Sequence, residues 1–93
     1  MAEDIRGYVS NQIIRKAVGS PSVLFVFPFV TETVAVLNPG STSVFYSFDS
    51  EATTGSTSGQ LFPGETRTFD FRVGSVSVLS TTGSPNVECV GAR

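Results

Sequence analysis

Side chains able to do chemistry are few in this chain, and their spacing does not favour catalysis. The sequence has no His and a single Cys, Cys89, so one chain cannot assemble a zinc site or a typical transition-metal site. Asp49-Ser50-Glu51 could offer oxygens to calcium, but the rest of a calcium-binding loop is missing. Without His, the one candidate base for a Ser nucleophile is Lys16. Asp49, Glu51, Glu65, Asp70 and Glu88 could supply a carboxylate pair for glycoside hydrolysis, a chemistry that needs a cleft a chain this short can hardly provide. Gly55-Ser56-Thr57-Ser58-Gly59-Gln60 has the glycines of a flexible loop but no Gly-Lys-Ser/Thr ending, so it is no phosphate cradle. The sequence therefore predicts a protein that is not an enzyme, with no catalytic residues, no metal ligands and no cofactor.

Composition points away from several partners as well. Six Lys+Arg against eight Asp+Glu leave a net charge of −2 over 93 residues. That balance gives no pull toward nucleic acid or an anionic membrane. Only 15% of residues are charged, and 13 Ser, 10 Thr, 13 Val and 9 Gly take their place. This is the composition of strands and turns. Eight Phe and two Tyr are enough to build one core, and the length suits one domain. A lone Cys89 makes no intramolecular disulfide and reads as a small buried hydrophobe. The apolar run Val23–Val30 has eight residues, far short of the roughly 20 of a membrane-spanning helix.

The elements that position these residues are short strands. Val23–Phe27 is closed by Pro28, and Val34 and Val36 alternate with Thr33, Ala35 and Leu37. Asn38-Pro39-Gly40-Ser41 is a strong turn signal that predicts a hairpin into Ser43–Phe48. Asp49–Gln60 reads as a long polar loop, and Leu61-Phe62-Pro63-Gly64-Glu65 as a second turn. Arg67, Phe69, Phe71 and Val73 share one face of the next strand, and Gly74 marks a bend. Ser75–Ser80 should turn Val76 and Val78 inward, and Val87–Val90 closes the set. Residues 1–20 are predicted to form an N-terminal arm or short helix, because Ile5, Tyr8, Val9, Gln12, Ile13 and Lys16 fall at helical spacing while Gly7 and Ser10-Asn11 weaken it. Residues 21–93 are predicted to form a single all-β domain, a small antiparallel β-sandwich or barrel of about six strands.

What remains is binding. Tyr8, Tyr46 and Phe62 could serve as a stacking platform in a small carbohydrate-binding module, but no Trp or clustered polar residues support them. The run Val23–Val30 is apolar on both strand faces, and a small sheet usually leaves one face to solvent. Either the arm or a neighbouring subunit should cover it. The predicted protein contacts are Ile5, Tyr8, Val9, Ile13 and Ile14 of the arm, with Val23, Phe25, Phe27 and Phe29 of the apolar strand.

Val44-Phe45-Tyr46-Ser47-Phe48-Asp49, Leu61-Phe62-Pro63-Gly64-Glu65 and Val76-Ser77-Val78-Leu79-Ser80 follow one another in an order that resembles small β-sandwich virion proteins of tailed bacteriophages. The resemblance covers Ser41–Arg93, and the size and arm are most similar to capsid decoration, or cement, proteins. It implies a homo-oligomeric structural protein of the virion, made in the host cytoplasm, that binds the major capsid protein or another virion subunit and ties the shell together. Neck, tail and head-completion subunits are the nearest alternatives, and no catalytic residues are implied.

Overall fold

The computed structural model describes residues 10–55 and 58–93. Eight strands follow in chain order: β1 (Asn11–Ala17), β2 (Val23–Val26), β3 (Thr33–Leu37), β4 (Val44–Phe48), β5 (Gly59–Leu61), β6 (Thr66–Phe69), β7 (Ser75–Leu79) and β8 (Asn86–Ala92). They form two four-stranded sheets of order β1-β8-β3-β6 and β2-β7-β4-β5, with antiparallel pairing throughout. The all-β sandwich expected from the alternating pattern is present.

β1 pairs with β8, β2 with β7, β3 with β6 and β4 with β5. The chain is thus one long ribbon doubled back on itself, with its tip between β4 and β5, and rolled so that its halves lie in two layers. Eight strands wound this way make a jelly roll. Every connection crosses between the sheets except β4–β5, the one true hairpin of the described strands.

Two expectations change here. The described residues form eight strands rather than the expected six or so, since β1 and β5 join the sheets. Of the arm or short helix predicted for residues 1–20, Asn11–Ala17 is extended rather than helical, and it lies along β8 in full register, from Asn11 opposite Ala92 to Ala17 opposite Asn86. Pairing with a strand at the far end of the sequence outweighs the helical spacing, which Gly7 and Ser10-Asn11 had already weakened. β1 is thus an edge strand of the β1-β8-β3-β6 sheet.

The Asn38–Ser41 turn does not join a hairpin. β3 and β4 lie in different sheets, and the turn carries the chain across. Asn38 explains how. Its buried side-chain amide donates to the carbonyls of Thr42 (2.8 Å) and Leu61 (3.2 Å), and its Oδ1 accepts from the Gly40 N–H. Its backbone pairs with Glu65 and Gly64. One residue thus ties the β3–β4 crossing to the β5–β6 turn, satisfying backbone groups that a sheet ladder would otherwise take.

Between the layers, Val34, Val36, Val87 and Cys89 of one sheet meet Phe25, Val44, Tyr46, Leu61, Val76 and Val78 of the other. At the β6 side the core becomes aromatic. Phe69 packs on Tyr46 and Phe48 with centroids 5.7 and 5.0 Å apart, and Phe71 lies 5.3 Å from Phe48. β6 ends at Phe69, so Phe71 follows the strand rather than belonging to it.

Candidate protein-interaction surface

Several of the groups that could have done chemistry are held by structural partners, while Glu51 and Asp70 are exposed. Asp49, at φ 55°, turns the end of β4, and its Oδ1 accepts from the Gly74 and Ser75 N–H groups at 3.1 Å. Glu65 accepts from the Phe62 N–H and from Arg67; these bonds hold its carboxyl below the usual range, the backbone donor contributing most. Glu88 pairs with Arg15 across β1 and β8. Burial pushes the Cys89 thiol up to about 12, which leaves it an apolar filler with little thiolate. Among the described residues, no three His, Cys, Asp or Glu gather where they could hold a metal. Tyr46, considered as a sugar platform, is buried, and its hydroxyl accepts from Arg67 at 3.2 Å.

The apolar run Val23–Val30 divides by period two. Phe25 is fully buried and Phe27 nearly so, while Leu24, Val26 and Val30 are 50%, 58% and 58% exposed. Phe25 and Phe27, predicted as contacts, instead belong to the core, because β2 turns them toward the facing sheet. Val23 is half-buried against the core, and Phe29 is half-buried, stacked on Phe27 beneath the Arg93 guanidinium. On β1, Ile14 faces inward opposite Cys89, and Ile13 points outward, 61% exposed. Ile5, Tyr8 and Val9 lie outside the described residues. The predicted contacts Val23, Phe25, Phe27 and Phe29 are one face of the alternation, and the exposed Leu24, Val26 and Val30 are the other; the alternation marks two faces but not which of them meets solvent.

β2 is also an edge strand. The Phe27 N–H donates to the Gly74 carbonyl, which continues the ladder from β2 to β7. In an antiparallel ladder alternate residues point their backbone groups to opposite sides. Phe25 and Phe27 therefore bond toward β7, and Leu24 and Val26 turn theirs to the open edge. The Lys16 ammonium donates to the Leu24 carbonyl at 2.9 Å and confirms that direction. An open edge bearing two exposed aliphatic side chains is a template for an added strand.

Beside it runs a groove of about 410 Å³, walled by Leu24 and Ser22 on one side and Ser50 and Glu51 on the other. Its floor is β7, where Ser77 lies buried beneath the 49–52 segment and accepts from the Ala52 N–H at 3.0 Å. Ser47 and Ser50 hydrogen-bond through their hydroxyls and fasten the same segment to β4. The first part of the loop is thus folded over the outer face of the sheet, up to the flank of β2.

No protein-family model matches the chain, and no curated protein matches it. Among solved structures, the chain is similar to one from Bacillus endospore appendages, described as a novel family of disulfide-linked pili, with 15% identity and a TM-score of 0.57, covering 99% of this chain and 96% of that one. It is also similar to a de novo designed double-stranded β-helix, with 11% identity and a TM-score of 0.50, covering 91% of this chain and all of that one. At these identities the likeness is one of fold, and it agrees with the rolled ribbon described above.

Proposed function

We propose that this protein is a non-enzymatic structural subunit that works by joining protein surfaces. The observation that carries the proposal is the open β2 edge, where Leu24 and Val26 are exposed beside unpaired backbone groups. Monomeric domains usually guard such an edge with charge, a bulge or a covering loop. Here one lysine stands guard over one carbonyl. Added strand pairing would supply main-chain hydrogen bonds, and burial of the aliphatic row would supply the hydrophobic gain.

In its finer form the proposal is a capsid decoration subunit of a tailed phage, bridging neighbouring shell proteins. The sequence resemblance carries that step. Many symmetric copies would multiply a modest contact into shell stability. The pilus chain shows the same fold in an appendage-forming protein; a filament is the corresponding setting if the partner is another copy of this chain.

Sedimentation velocity over a micromolar concentration series, with and without expanded phage capsids, tests the proposal. The wild-type protein should form assemblies or co-sediment with capsids, and Val26→Lys should reduce either by more than tenfold while its circular dichroism stays unchanged. A wild-type protein that stays monomeric and binds no capsid would sink the proposal.

A further inference from the structure

The two lateral sides of the sandwich differ, and the difference points to how a second copy would dock. β1 and β2 form one side, β5 and β6 the other. On the far side β6 matches β2 in length, four residues each. The Asn38 N–H donates to the Glu65 carbonyl, and the Thr33 hydroxyl to the Phe69 carbonyl, so Glu65 and Phe69 face β3. By the same alternation Thr66 and Thr68 turn their backbone groups to the open edge, with exposed side chains. Each edge thus offers two residues: Leu24 and Val26 on β2, Thr66 and Thr68 on β6. β5 has only three residues, and its Gly59 lies against the Tyr46 ring.

Charge separates the sides further. Among the described residues, Arg15 is paired with Glu88, Arg67 with Glu65 and Arg72, just past β6, with Glu32, while Arg93 lies over the Phe29 ring. Of the exposed charges left, the Lys16 ammonium sits on the β2 edge itself, on the Leu24 carbonyl, Glu51 stands across the groove from that edge, and Asp70 lies at the end of β6. Two β2 edges brought together would set both Lys16 ammonium groups on one seam, and like charges there oppose docking. A β2 edge meeting a β6 edge brings Lys16 toward Asp70, which can accept the ammonium as an added strand displaces it from the Leu24 carbonyl. The exposed ring of Phe71, beyond β6, adds apolar surface on that side for Leu24 and Val26.

We infer that the occupant of the β2 edge is a second copy of this chain, docked head to tail through its β6 edge. Unlike edges meeting in this way leave a free β2 edge at one end and a free β6 edge at the other, so the contact repeats into a ring or an open row. This inference rests on the assembly reading above and specifies its partner.

Engineered cysteines test it, because the native Cys89 is buried. Val26→Cys, Thr66→Cys and Thr68→Cys are made singly, and Val26→Cys is combined with each threonine variant; all sites are exposed, and thermal melts verify folding. After mild oxidation, a mixture of Val26→Cys with one of the threonine variants should give a disulfide-linked dimer on a non-reducing gel. The matching double variant should give a ladder of multimers, and each single variant alone should stay monomeric on the gel. A disulfide dimer from Val26→Cys alone, or no cross-link in any mixture while the wild type sediments as an assembly, overturns head-to-tail docking and leaves the assembly reading standing. A wild type that is monomeric and binds no capsid overturns both.

Discussion

β2 and β7 are hydrogen-bonded neighbours, and their burial is the reverse of their hydropathy. β2 reads Val-Leu-Phe-Val, apolar on both faces, yet one face is exposed. β7 reads Ser-Val-Ser-Val-Leu, the pattern of a strand with one wet face, yet Val76, Ser77 and Val78 are all buried. Place in the sheet accounts for this. β7 is interior, and the 49–52 segment folds over its outer face, with Ser77 giving that cover its hydrogen bond. β2 is an edge that the segment stops short of. Polar residues under a cover are held by their partners, whereas the apolar residues on the outer side of β2 are left exposed.

The largest effect should come from the inward side of β2. Phe25→Ala removes a fully buried ring between the layers and should lower unfolding free energy by about 3–5 kcal/mol in urea titrations. For a domain of this size that is a large share of the total. If the loss were below about 1 kcal/mol, Phe25 would not be the core residue its burial makes it. Next comes the cover on β7. Ser77→Ala leaves the buried Ala52 N–H without its acceptor and should cost about 1–3 kcal/mol. Limited proteolysis should then cut the 49–58 loop sooner than in wild type; an unchanged cleavage rate would mean that the serine does not hold the cover. The smallest stability effect should be on the outward side of β2. Leu24→Ser should change stability by no more than about 0.5 kcal/mol and still weaken association in sedimentation velocity. Loss of stability comparable to Phe25→Ala would erase the distinction between the two sides of the strand.

Much of the fold was legible in local sequence. Val76 and Val78 point inward, and Val44 and Tyr46 are buried on β4, as their alternation predicts. Cys89 is the buried hydrophobe its setting suggested. What escaped depends on distant partners. Nothing near Asn11–Ala17 announces that β8 will lie beside it, and six of its seven residues are exposed, so no buried periodicity marks the strand. Asn38-Pro39-Gly40 has the chemistry of a hairpin turn, and only the carbonyls of Leu61 and Thr42 show that it turns between layers. The candidate surface was half legible. An over-apolar run could be seen in the sequence, but which of its alternate residues faces solvent depends on which side the other sheet lies.

The nested pairing of the strands also governs how the chain can fold. Val44 and Leu61 pair close to the ribbon's tip, whereas Asn11 and Ala92 pair across nearly the whole chain. Closing the outermost pair first would tie up a very long loop for little return. Closing the tip first brings β3 near β6, then β2 near β7, and each step leaves only a short gap for the next. By loop-closure cost the order of pairing should therefore run outward from the tip, with β1 on β8 last. Topologies dominated by distant contacts fold slowly, and here the most distant of them, β1 on β8, depend on the tip to bring them within reach.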